Sequence, residues 1–138
     1  MKIVGEDIFR LIPQRNPFVM LDEFETTGES AAQTALYVRT DNFFILPDGT
    51  LAETGLIEHI AQSAAALVGY QQTDLAQPRI GLIGEVKHFE CLRRPESGQL
   101  VHTCVEFGLT IGNVTLVEGR CCIGDEMIAK AKLKIFMQ

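Results

Sequence analysis

The segment from Leu51 to Tyr70, LAETGLIEHIAQSAAALVGY, constrains the fold more than any other stretch of this chain. Leu56, Ile57, Ile60, Ala61, Ala64, Ala65, Leu67 and Val68 leave it almost no polar face. A surface helix keeps one wet side, whereas a helix apolar nearly all round belongs inside a core and must be covered on most sides. Glu58 breaks the pattern from the middle of the run. A bare carboxylate buried there costs on the order of several kcal/mol. It must therefore be paired, protonated or lining a site, which makes it the first candidate for function.

With 138 residues, 46% of them hydrophobic, the expectation is one domain over residues 1–138 with enough chain to bury a real core. Glu53, Glu58 and His59 interrupt the longest apolar run well short of the roughly 18 residues that a membrane span requires. The opening MKIVGEDIFRLIP carries early acids and no apolar leader stretch, so a cytoplasmic location is expected. A net charge of -6, with no basic stretch beyond Arg93-Arg94, argues against nucleic acid. Cys91, Cys104, Cys121 and Cys122 have no C-x-x-C spacing, and the adjacent pair points to opposite faces of a strand. They read as reduced core residues, and nothing suggests a metal, nucleotide or flavin cofactor.

Helical spacing of Ile8, Leu11 and Ile12 predicts a short helix over Glu6 to Leu11, ending before Pro13. Phe18 to Thr27 and Ala31 to Arg39 read as two strands about a turn at Gly28-Glu29, followed by a loop punctuated by Pro47-Asp48-Gly49. Thr50 and Glu53 have the T-x-x-E spacing of a capping box at the start of the long helix. Four strands are predicted beyond it: Ile80 to Leu92, Gln99 to Leu109, Asn113 to Ile123 and Met127 to Phe136. Turn signals at Pro95-Glu96-Ser97-Gly98, Gly112-Asn113 and Gly124-Asp125 suggest that they follow one another as antiparallel hairpins. In the last strand Ala129, Ala131, Leu133 and Ile135 alternate with Lys130, Lys132 and Lys134, the pattern of a sheet with one packed and one wet face. An α+β hotdog fold satisfies all of this, with one curved antiparallel sheet wrapped around the helix and a second subunit closing what remains.

Three strings then resemble one family in the right order. LIPQRNPFVMLDEF resembles the opening of the FabZ-type 3-hydroxyacyl-carrier-protein dehydratases. GLIEHIAQSAAAL is similar to their helix motif, and IGLIGEVKHFECLRRPESGQL to a later strand. The resemblance runs from about Leu11 to Leu100, and GDEMIAKAKLKIF fits the family's last hairpin. It implies a dehydratase of fatty acid or polyene biosynthesis, with Glu58 on the family's catalytic carboxylate and Gln62 on its supporting glutamine. One departure is plain. The family follows its phenylalanine pair with a GHFP motif whose histidine removes the α-proton, whereas Phe43-Phe44 is followed here by Ile45-Leu46-Pro47-Asp48-Gly49-Thr50. The shorter loop is more like the divergent hotdog dehydratases of aryl-polyene and flexirubin-type pathways.

Dehydration of a 3-hydroxyacyl thioester needs a base for the α-proton, an acid for the departing hydroxyl and N–H groups that polarise the carbonyl. Gln62 lies one helical turn beyond Glu58 and can bond its carboxylate. His59 points about 100° away from Glu58, so it either reaches a site across a subunit interface or is satisfied by a neighbour. His88 lies on a strand that the resemblance places near the acyl tunnel, and His102 is expected at the surface. Phe44 is expected at the substrate. Arg93 and Arg94, with Lys87 and Arg15 as possible neighbours, form the candidate patch for an acidic acyl carrier protein, a CoA thioester being the other carrier. Two further readings stay open: a thioesterase using Glu58 alone, and a non-catalytic or half-site subunit completed by a second hotdog chain. Either way a homodimer, a larger assembly or a heteromer is expected rather than a monomer.

Overall fold

The computed structural model describes residues 2–71 and 81–137. The long helix, α1, spans Glu53–Gln71, and its sides are buried from Gly55 to Leu67 except at Ile57, Glu58 and Ala61, which are half-buried. Its first turn closes on the Ala52 carbonyl, which accepts from the N–H groups of Gly55 at 2.9 Å and Leu56 at 3.3 Å. The expected capping box does not form. Thr50 gives both its hydroxyl (2.6 Å) and its N–H (3.0 Å) to the Asp48 carboxylate, and Glu53 is exposed. An aspartate two residues upstream captures the threonine in a local turn before the helix can.

Among the described residues seven strands form one sheet: β1 (Ile3–Val4), β2 (Glu23–Gly28), β3 (Ala31–Tyr37), β4 (Gly81–Cys91), β5 (Leu100–Ile111), β6 (Val114–Ile123) and β7 (Glu126–Met137). Their order across the sheet is β1-β2-β3-β5-β6-β7-β4, antiparallel at every pairing. The short opening helix is a 3-10 turn over Gly5–Arg10. The predicted start of a strand at Ile80 lies outside the described residues.

Two further expectations are corrected. The stretch from Phe18 to Asp22 is not strand, because side chains of α1 take the backbone groups of Phe18 and Met20. Nor is Pro95 to Gly98 the turn of a hairpin. β5 has β3 on one side and β6 on the other, so β4 crosses to the open side of β7. The intervening segment is pinned to the loop before α1, where the Leu51 N–H donates to the Pro95 carbonyl at 2.8 Å and Thr50 bridges to Glu96. The hotdog architecture follows: a curved sheet with α1 on its inner face.

Alternation divides the two faces of the sheet. On β7, Ala129, Ala131, Leu133 and Ile135 are buried toward the helix, while Lys130, Lys132 and Lys134 face outward. These lysines pair with Glu90 (3.7 Å), Glu118 (3.5 Å) and Glu85 (3.4 Å) on the neighbouring strands. The helix lies hard against its surroundings. A Cβ on Gly119 of β6 would come within 2.6 Å of Ile60 Cγ2, and one on Gly69 would run into the backbone carbonyl of Leu11.

Candidate functional site

Glu58 and Gln62 stand one turn apart on α1, and Gln62 Nε2 donates to Glu58 Oε1 at 2.9 Å. The same nitrogen donates to the Phe18 carbonyl at 2.8 Å, while Gln62 Oε1 accepts the N–H of Met20 at 2.7 Å. Gln62 is wholly buried and Glu58 half-buried, so the amide is an anchored hydrogen-bond clamp and the carboxylate is the group left to face outward. A carboxylate with one oxygen held by a fixed amide keeps its rotamer and still has lone pairs for a substrate or a water.

An aromatic chain borders this pair. Phe18 packs edge-on against Phe43 (4.9 Å between ring centres), and Phe43 against Phe44 (5.2 Å). Phe18 and Phe43 are 49% and 58% exposed, which is costly for such large apolar rings unless something covers them. Phe44 is half-buried and rests on Gly55, one turn ahead of Glu58, where a Cβ would meet Phe44 Cβ at 2.8 Å. Asn42 ties this loop to the clamp: its Oδ1 accepts the Phe44 N–H at 2.8 Å, and its Nδ2 lies 3.3 Å from Met20 Sδ. Phe44 and Glu58 thus share one neighbourhood. The part of Phe18 and Met20 in it was missed because residues 18–22 read as an ordinary strand, and that of Asn42 because residues 41–50 read only as a loop.

His59 points the other way. It is completely buried, with Nδ1 2.7 Å from the Met20 carbonyl and Nε2 2.8 Å from Thr103 Oγ1. Burial drives its pKa down to about 4, against the opposing pull of the Met20 carbonyl and the Asp22 charge. A ring wholly buried and bonded at both nitrogens does not reach across a subunit interface. His88 is exposed on the outer face opposite Lys132, not beside Glu58. It helps to line a hollow of about 640 Å³ together with Glu90, Glu118, Arg120, Lys130 and Lys132. His102 is exposed opposite Cys122. No histidine of this chain therefore stands beside Glu58.

The two arginines are already engaged. Arg93 forks onto Glu126 (2.7 and 3.3 Å), which holds its guanidinium firmly charged. Arg94 reaches Asp48 at 3.0 Å and Thr50 Oγ1 at 3.0 Å. Thr50, through its hydroxyl and then its N–H, and to a lesser degree Arg94, holds the Asp48 carboxyl below its ordinary value. Arg15 lies over the Phe9 ring and donates to the carbonyls of Ile12, Gln14 and Phe9. The Arg93-Arg94 pair is a neutralised cluster rather than a bare basic patch. Among the described residues no group of His, Cys, Asp or Glu is arranged to hold a metal ion, and no helix is long and apolar enough to cross a membrane.

Solved structures share this fold. A chain of the dehydratase heterocomplex ApeI:P from Xenorhabdus doucetiae superposes with a TM-score of 0.86 at 17% identity, covering 95% of this chain and 90% of that one. A hypothetical thioesterase with coenzyme A from Streptococcus pneumoniae gives 0.64 at 11% identity, covering 83% of this chain and 84% of that one. The PaaI protein of the phenylacetic acid degradation operon of E. coli gives 0.66 at 10%, covering 82% and 80%. At such identities these likenesses show the hotdog fold alone. No protein of curated description matches the sequence. A family model, described as ApeP dehydratase, matches residues 6–138, and the chain accordingly belongs to the ApeP-like dehydratase family.

Proposed function

We propose that this protein takes part in dehydrating a 3-hydroxyacyl thioester, carried on an acyl carrier protein or CoA, with Glu58 as its acting carboxylate. The observation that carries the reading is the contrast between Glu58, half-exposed and aimed by a buried glutamine, and three histidines that all lie elsewhere. Elimination moves two protons. A base takes the α-proton, the freed pair becomes the new double bond, and the hydroxyl leaves as water once an acid has protonated it. One carboxylate cannot fill both positions in one step. Glu58 takes one, and the other comes from a second hotdog subunit. The N–H groups of Glu53 and Thr54 at the start of α1, ahead of those of Gly55 and Leu56 that bond the Ala52 carbonyl, are the candidates for polarising the thioester carbonyl.

Membership of a dehydratase family supports the reaction class, and the heterocomplex ApeI:P supports a second chain as the source of the missing group. A cytoplasmic setting belongs to the same reading. Phe44, with Phe18 and Phe43, supplies the apolar wall that an acyl chain needs. Arg93 and Arg94 serve a carrier only by exchanging Glu126 and Asp48 for its acidic groups.

The test uses 3-hydroxyacyl-carrier and 3-hydroxyacyl-CoA substrates, with the pure chain alone and with a co-expressed hotdog partner, read by mass spectrometry. Enoyl product is expected with the partner present, and Glu58→Gln should lower its formation by at least about a hundredfold. Free thiol in place of enoyl product would make the chain a thioesterase. Full activity in Glu58→Gln would remove Glu58 from the chemistry.

A further inference from the structure

The Met20 carbonyl can only accept a hydrogen bond, so the His59 Nδ1 that lies 2.7 Å from it carries a proton. In the neutral ring the other nitrogen is then an acceptor, and the Thr103 hydroxyl 2.8 Å away donates to it. Thr103 Oγ1 also lies 3.2 Å from Cys121 Sγ. Burial pushes the Cys121 thiol up to about 12, so the sulfur beside that hydroxyl stays protonated.

The same reasoning runs outward from Met20. Its N–H must meet the oxygen of the Gln62 amide, which fixes the amide's orientation and sends its two N–H groups to the Phe18 carbonyl and to Glu58. His59 and Gln62, three residues apart on α1, thus hold the carbonyl and the N–H of Met20 respectively. From Thr103 to Glu58 every proton has one place.

We propose that His59, as the neutral Nδ1–H tautomer, is a positioning residue for Glu58, acting through the backbone of Met20 and the amide of Gln62. The proposal rests on Glu58 being the acting carboxylate. Without the His59–Met20 bond, the helix hydrogen bonds to the segment from Phe18 to Met20, among the described residues, come from Gln62 alone. The amide that aims Glu58 then rides on a looser strap, and Phe18 moves with it.

Long-range proton–nitrogen NMR on the wild-type chain comes first and needs no variant. It should show the His59 ring proton on Nδ1 from pH 8 down to pH 5; a proton on Nε2 overturns the proposal. Two substitutions then separate the two bonds of the ring. His59→Asn leaves an amide nitrogen near the position of Nδ1, and His59→Gln leaves one near Nε2. In His59→Gln the Met20 amide should exchange with solvent about tenfold faster while the interior amides of α1 do not change. In the partnered assay kcat should fall about tenfold with KM within about twofold. His59→Asn should stay near wild type in both. Equal defects in the two variants, or a Met20 amide unmoved in His59→Gln, would reduce His59 to a core filler. Should Glu58→Gln retain activity, the functional reading fails separately, and the ring proton and the Met20 amide still decide whether the strap exists.

Discussion

A histidine sealed in a dry core, with both nitrogens bonded, takes up a proton only at a cost that water does not impose on the unfolded chain. His59 is held at about 4 in the folded protein, mainly by burial, against an ordinary value of about 6.5. The sign follows. Above about pH 6.5 neither state is protonated at this residue and nothing is lost. As the pH falls from there toward 4, the unfolded chain binds the proton and the folded one does not, so stability declines by about 3 kcal/mol and then levels off. Urea midpoints measured from pH 8 to pH 4 should show this extra slope in the wild type and not in His59→Asn; parallel slopes would mean that the ring charges in place. The cysteines divide by burial. Cys104 is exposed and should alkylate in minutes in the folded protein, whereas Cys121 should react only on unfolding. Glu58 and Gln62 were legible as a pair because their relation is local, four residues along one helix. The contacts of His59 were not, since Met20 and Thr103 lie 39 and 44 residues away and leave no periodic trace.

At the scale of elements, the seat of α1 is decided by atoms too close to allow a methyl group. A Cβ on Gly69 meets the Leu11 carbonyl, a backbone atom that cannot swing aside, so Gly69→Ala should cost about 2 kcal/mol although alanine is the better helix former. Thermal unfolding measures it, and an unchanged melting temperature would mean that the segment around Leu11 yields freely. The elements most legible in the sequence were those whose signal is internal: the all-round apolar helix and the β7 alternation of alanine, leucine and isoleucine with lysine. Those misread were decided by competition at a distance. Thr50 was expected to cap α1 and turns to Asp48; Phe18 to Asp22 read as strand, but Gln62 and His59 take the backbone of Phe18 and Met20. The Pro95 to Gly98 segment carries turn residues yet joins strands that are not neighbours, because β3 already occupies the edge of β5 that a hairpin would have used.

At the scale of the whole molecule, the apolar inner face of the sheet runs on to an open edge. β4 is the last strand of the sheet, and its inward-facing residues are in register with buried ones on β7: Ile83 with Ile135, and Val86 with Leu133. Ile83 and Val86 nevertheless remain 38% and 37% exposed, because among the described residues no strand lies beyond them to complete the cover. An eleven-residue edge with uncovered apolar side chains is a template for strand pairing. A second hotdog chain added along β4 would extend the sheet and cover these residues. Under the proposed function, assembly and catalysis are then one requirement, the second proton-transfer group coming with that chain. Each large aliphatic side chain covered contributes roughly 1.5–3 kcal/mol, so Ile83→Glu combined with Val86→Glu should weaken association by at least about a hundredfold. Sedimentation velocity should find the wild type as a dimer or larger, alone or with its partner, and the double variant as a folded monomer. That monomer should also form no enoyl product although Glu58, Gln62 and His59 are untouched. A double variant that assembles normally would move the interface away from β4, and a monomer that still dehydrates would return both proton transfers to this chain.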